Sequence, residues 1–299
     1  MNGRRLVVGL LAAVALAGGA VYVAGAMLVA SAHRKVPPPP SDLRAQSVIL
    51  SSSSGAQLAA WLVTPDAPVG AVVVLHGVRA NRADMVSRVE LLSRAGYIVL
   101  APDLQGHGES TGAQITFGYL ESRDAESCLG YLRNRFPALP IGGVGVSLGG
   151  AAFALAGSRS QAQALVLEAV YPTTEEAAEN RLEMRIGPAA HFLTPLLLLQ
   201  LRPRLGIGAE DLRPIQSIQA LRCPVLVMSG TADRHTTQAQ TEALYAAANA
   251  PKELWLVPGA AHVDLLRYDR AGYSAHVLGF FGQHLARGNA SGRTSALRQ

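Results

Sequence analysis

Ser147 stands in Gly145-Val146-Ser147-Leu148-Gly149, a G-x-S-x-G pattern. A serine hydroxyl is a weak nucleophile until a base takes its proton. It must also be presented clear of the chain. Flanking glycines remove the Cβ clashes of a sharp, strained turn that does this. Such a turn needs a strand entering and a helix leaving. The sequence supplies both: 141–146 is an apolar strand-like run and 148–156 a helix of small residues. The helix N-terminus would favour negative charge beside Ser147. Ser147 is therefore the candidate nucleophile. The amide of Leu148, the next residue, is a candidate donor to a developing oxyanion.

The elements around the turn alternate. Residues 47–51 and 58–64 read as an opening hairpin, and 71–77 as a strand buried on both faces. A helical pattern over 81–95 leads to a strand at 97–103, and a long helix over 117–135 leads to the strand before Ser147. Further strands are expected at 164–170, 224–230 and 253–259, with a last helix over 268–285. This order predicts an α/β fold built on a mostly parallel, doubly wound sheet. Residues 172–221 break the rhythm, with helical stretches and no strand. They read as an inserted helical cap. Its strongly apolar part, 191–207, could line an acyl site or touch a bilayer.

Five motifs in order make the chain from about 47 to 286 resemble the α/β-hydrolase family. They are LHGVRANRADM (75–85), APDLQGHGESTG (101–112), GVSLGG (145–150), SGTADRHTT (229–237) and PGAAHVD (258–264). Within the family the chain is similar to membrane-linked or exported serine hydrolases of the serine aminopeptidase-like group. The resemblance implies a triad in the order Ser, acid, His, which selects Ser147, Asp233 and His262. In such a triad the carboxylate fixes the histidine tautomer and the histidine takes the serine proton. The resemblance also implies a second oxyanion donor at the amide of Val78, or at Arg79 if the loop is shifted by one, with His76 bracing that loop.

Other residues compete for these roles. Glu168 also follows a strand and is an alternative acid. Asp103 and His107 read as turn-bracing residues. His276 and His284 lie on a helical pattern and read as packing or surface residues. His235 is too near Asp233 in sequence to share a triad comfortably.

Residues 6–32 carry no charge and are rich in Leu, Val, Ala and Gly. About 20 such residues cross a bilayer core, so 1–35 reads as an N-terminal signal anchor. Ala30-Ser31-Ala32 also fits a signal-peptidase site, which would make the protein secreted. Arg4 and Arg5 precede the run, while Arg34 and Lys35 follow it, so charge barely orients the helix. The expected arrangement puts the hydrolase domain outside the cytoplasmic membrane. Pro37 to Pro40 would form an extended spacer over 36–46 that holds the domain off the membrane. Residues 287–299 read as a disordered tail.

The 26 basic and 21 acidic residues leave a net charge of +5. Much of it lies at the anchor flanks and in the tail, and no basic run interleaved with aromatics suggests nucleic acid. Cys128 and Cys223 sit in apolar patterns and read as buried thiols. No Cys/His cluster suggests a metal, and no Lys-Ser/Thr follows the glycine-rich turn as a phosphate loop requires. No cofactor is expected. The expected activity is hydrolysis of a carboxylic ester, lipid-like or thioester included, through an acyl-enzyme. Peptidase or acyltransferase chemistry with the same triad is an alternative, as is a non-catalytic binding protein on the same fold. Aspartate at the elbow would have pointed to dehalogenase or epoxide-hydrolase chemistry, and cysteine to dienelactone hydrolysis.

Overall fold

A computed structural model describes residues 3–285, so the tail expected from 287 lies outside the described residues. Its centre is the run Gly70–Leu75, every residue of which is buried. Side chains alternate across a strand. Val73 and Leu75 therefore join the apolar cluster on one face, with Leu129, Phe153 and Leu244. Val72 and Val74 join the cluster on the other, with Val89, Leu92 and Phe281. A strand buried on both faces needs helices on both, and the chain supplies them.

The sheet has eight strands. β1 (Gln46–Ser51) and β2 (Gln57–Val63) form the opening hairpin, and β3 is Gly70–Leu75. β4 (Tyr97–Pro102), β5 (Ile141–Val146), β6 (Ala164–Glu168), β7 (Val225–Gly230) and β8 (Lys252–Val257) follow. The spatial order is β1-β2-β4-β3-β5-β6-β7-β8. β1 and β2 are antiparallel to each other and β2 to β4, and the other pairings are parallel. β3 pairs with β4 on one side and β5 on the other, with Val72 opposite Val99 and Gly142. In open parallel sheets, ligands bind beyond the carboxyl ends of strands, where the order reverses. β5, which enters the elbow, is one of those strands.

α1 (Gly3–Val29) is the N-terminal apolar helix. α2 (Val86–Arg94) and α3 (Tyr119–Arg135) cover opposite faces of the sheet, and α4 (Leu148–Ala156) leaves the elbow. The helical pattern at 81–95 begins as a short 3-10 turn, capped at Asn81, whose side chain accepts from the Ala83 amide. Residues 172–221 contain α5 (Thr174–Ile186), α6 (Ala190–Leu198), α7 (Leu201–Leu205) and α8 (Pro214–Ser217), and no strand. α9 (Gln238–Ala247), which the sequence pattern did not single out, packs beside β7. α10 (Leu265–Tyr268) and α11 (Arg270–His284) close the fold. Cys128 and Cys223 are free and buried.

The segment between α1 and the expected spacer over 36–46 contacts the domain. The chain re-enters the domain directly after α1, before Pro37. The Ile115 amide donates to the Val29 carbonyl at 2.8 Å, and the Ala32 amide to Gly106 at 2.7 Å. Ala32–His33 pairs in parallel with His107–Gly108. Val29 and Val36 are both buried.

Candidate active site

Ser147 adopts φ 49° and ψ −109°, backbone space that residues with a Cβ rarely occupy. Close approach explains the glycines around it. A Cβ on Gly145 would lie 2.5 Å from the Gly149 carbonyl carbon, and one on Gly149 would lie 2.5 Å from the Leu75 oxygen. The turn is held by hydrogen bonds at each side: the Ser147 amide donates to Glu168 at 2.8 Å, and the Ala151 amide to Ser147 at 2.9 Å. A Cβ on Gly77 would stand 3.7 Å from that of Ser147, so the loop after β3 abuts the serine.

The loops after β7 and β8 are tied together. The Ala232 amide donates to Ala260 at 2.9 Å and the Thr231 amide to Val257 at 3.0 Å. Gly230 is needed there, since a Cβ would meet the Ala260 oxygen at 2.1 Å. This splice brings Asp233 and His262 together: the Nδ1–H of His262 donates to Oδ2 of Asp233 at 2.7 Å. Oδ1 accepts the amides of His235 at 2.8 Å and Thr236 at 3.0 Å. Burial opposes ionisation of Asp233. The His262 hydrogen bond and charge and these amides outweigh it, holding the carboxyl below its usual range.

The competing residues are otherwise engaged. Glu168 is buried and accepts from Arg88 Nε at 3.1 Å and Nη2 at 2.5 Å, and from the Tyr273 hydroxyl at 3.2 Å. Asp103 accepts the amides of Arg82 at 2.7 Å and Glu109 at 2.8 Å and pairs with the Arg82 guanidinium. His276 stacks on Trp255 with ring centroids 4.6 Å apart, and His284 meets Phe280 edge-on at 4.8 Å.

His76 braces the loop after β3. Its Nδ1–H donates to Gly77 at 2.8 Å, and its Nε2 accepts the Leu104 amide at 3.0 Å. That pattern needs the neutral ring. Burial, then the charge of His107, pushes its pKa down to about 3.

Two features were not legible in the sequence. His235 stacks on His262 with centroids 4.6 Å apart. Burial lowers its pKa, and the charges of His262, Arg181 and Arg185 lower it further. The second feature is a cavity of about 670 Å³ bordered by Val78 and Leu148. Its walls come from α5, α6 and the end of α1, including Ala24, Met27, Ala178 and Leu197. A contact between a terminal helix and a cap about 170 residues later leaves no local pattern to read.

The strand order and the serine elbow after β5 define a class, the α/β hydrolases. Comparison with known proteins agrees. A family model for serine aminopeptidase, S33, matches residues 66–212. The uncharacterized protein YqkD of Bacillus subtilis is 24% identical over 78% of this chain and 77% of its own length. The uncharacterized protein Rv2307c of Mycobacterium tuberculosis is 30% identical over 226 residues, 73% of each chain. The solved esterase Pf2001 of Pyrococcus furiosus superposes with a TM-score of 0.71 at 19% identity, covering 85% of this chain and 99% of that one. The chain belongs to the α/β-hydrolase family.

Proposed function

We propose that the protein is a membrane-anchored serine esterase. The observation that carries this reading is the 2.7 Å Asp233–His262 hydrogen bond, in loops at the same sheet edge as the strained Ser147. With Nδ1 committed to Asp233, Nε2 of His262 is left to accept a proton. Ser147 Oγ then bonds to the carbonyl carbon of an ester as its proton passes to His262. The carbonyl oxygen gains the negative charge, held by the amides of Leu148 and Val78. Collapse expels the alcohol, which takes the proton from His262. Water, deprotonated by His262, then cleaves the acyl-serine to release the acid and restore the hydroxyl.

The family match by itself leaves open esters, peptides and acyl transfer. The cavity favours esters. Its walls are largely apolar, and no carboxylate lines it among the described residues to hold a peptide amine. The solved relatives described as esterases, Pf2001 among them, agree with this. Val7–Val29 is apolar enough and long enough to cross a bilayer, which supports the anchor. A fluorophosphonate probe tests the reading directly. It should label the wild-type protein and not Ser147→Ala, and p-nitrophenyl esters should turn over only in the wild type. Equal labelling of the variant would overturn it.

A further inference from the structure

The cavity walls carry apolar surface from α1, α5 and α6 and the arginines Arg79, Arg181 and Arg185. Its volume falls within the roughly 300–1,000 Å³ of small-molecule sites. Arg79 is occupied, donating to the Leu28 carbonyl at 3.2 Å and to that of Met27. Arg181 donates to the Ala177 carbonyl of its own helix at 2.9 Å. No carboxylate among the described lining residues neutralises it or Arg185.

Two of the helices that line the cavity also carry exposed apolar side chains. On α1, Tyr22, Val23 and Met27 are exposed. On and beside α6, Phe192, Leu196 and Leu199 are exposed, Phe192 at 75%. Gln200 Nε2, between α6 and α7, donates to the Val21 carbonyl at 2.9 Å and Arg204 Nη2, on α7, to that of Tyr22 at 2.8 Å, and α6 itself packs on α1. From Val21 to Val29 a helix rises about 12 Å. An interfacial helix buries its apolar face about 5–10 Å into the headgroup boundary. If α1 spans a bilayer up to Val29, the segment packed on its last turns, and the cavity wall they share, lie at the lipid surface.

We propose that this site takes an ester joining one long acyl chain to an anionic alcohol, drawn from the lipid surface where α1 and α6 meet. The proposal rests on the serine-esterase reading above. The chain occupies the apolar walls, α1 being one of them, and the anion meets Arg181 and Arg185. Hydrolysis releases a fatty acid and the anionic alcohol, with water as the only co-substrate.

The test uses the full chain in detergent micelles and in vesicles. The probes are 1-palmitoyl glycerol 3-phosphate, its neutral counterpart 1-palmitoyl glycerol, the water-soluble 1-butyryl glycerol 3-phosphate, and p-nitrophenyl acetate. The wild type should prefer the anionic palmitoyl ester over the neutral one. Arg181→Gln and Arg185→Gln should each cut that preference about tenfold, the value of a hydrogen bond to a charged group. Ala24→Trp on α1 and Ala178→Trp on α5 should each cut the palmitoyl-to-butyryl ratio by a similar factor, two variants guarding against one that misfolds. Turnover that depends on Ser147 with ratios unmoved by all four variants sinks this proposal alone. Turnover that survives Ser147→Ala sinks the esterase reading instead.

Discussion

The guanidinium of Arg79 caps the carbonyls of Met27 and Leu28, joining the loop that abuts Ser147 to the end of the N-terminal helix. Cations are favourable at helix C-termini, where unpaired carbonyls concentrate negative potential. Arg79 takes φ 58°, so the loop turns sharply at the residue making this contact.

Arg79→Ala should therefore lower kcat/KM for esters without abolishing it. The side chain is exposed and screened, so a loss of about 1 kcal/mol, roughly fivefold, is expected. Arg79→Lys should recover part of it. Steady-state kinetics on both variants check this, and unchanged kinetics in Arg79→Ala would show the contact to be idle.

Asp233→Asn should leave the fold intact and lower kcat by roughly four orders of magnitude, because the amide no longer holds the His262 tautomer. His262→Gln and Ser147→Ala should fall as far, and combining them should add little, since the groups act as a unit. Multiplicative losses in the double variants would contradict a shared mechanism.

Glu168 separates structure from chemistry. Its carboxylate lies buried against Arg88 at 2.5 Å. Removing one partner of a buried ion pair leaves the other charge unpaired, at about 3–5 kcal/mol. Arg88→Met should thus lower Tm and the urea midpoint sharply, while protein that remains folded at low temperature still reacts with a fluorophosphonate. A stable but unreactive Arg88→Met protein would return Glu168 to the list of candidate acids.

His76 makes stability depend on pH. Its folded pKa, pushed down to about 3 by burial and His107, lies below the ordinary 6.5. The unfolded chain then binds a proton that the folded one refuses, so stability is full above 6.5 and falls with acidification toward 3. Between neutrality and pH 5 this group alone removes about 2 kcal/mol. Urea titrations of the wild type and His76→Gln, which keeps an acceptor for the Leu104 amide, should converge as pH falls. Parallel curves would contradict the assignment.

Much of the fold was legible in the sequence because its signals are local. Continuous apolar runs mark the central strands, and the spacing of Gly145, Ser147 and Gly149 marks the elbow. Both depend on residues within a few positions of each other. Helix α9 escaped because its Ala- and Gln-rich sequence carries only a weak apolar stripe. Asp233, His262 and Val78 were selected through motif order and not through geometry. The sequence by itself determined the layered α/β plan, the serine turn and an apolar leader long enough for a bilayer. Only the tertiary structure decided that Glu168 belongs to Arg88 across 80 positions and Asp233 to His262 across 29. It also decided that the leader is a wall of the cavity and that residues 30–34 pair with the domain directly after it. Those outcomes depend on which distant backbones approach, and approach is set by sheet order and burial, which no local pattern encodes.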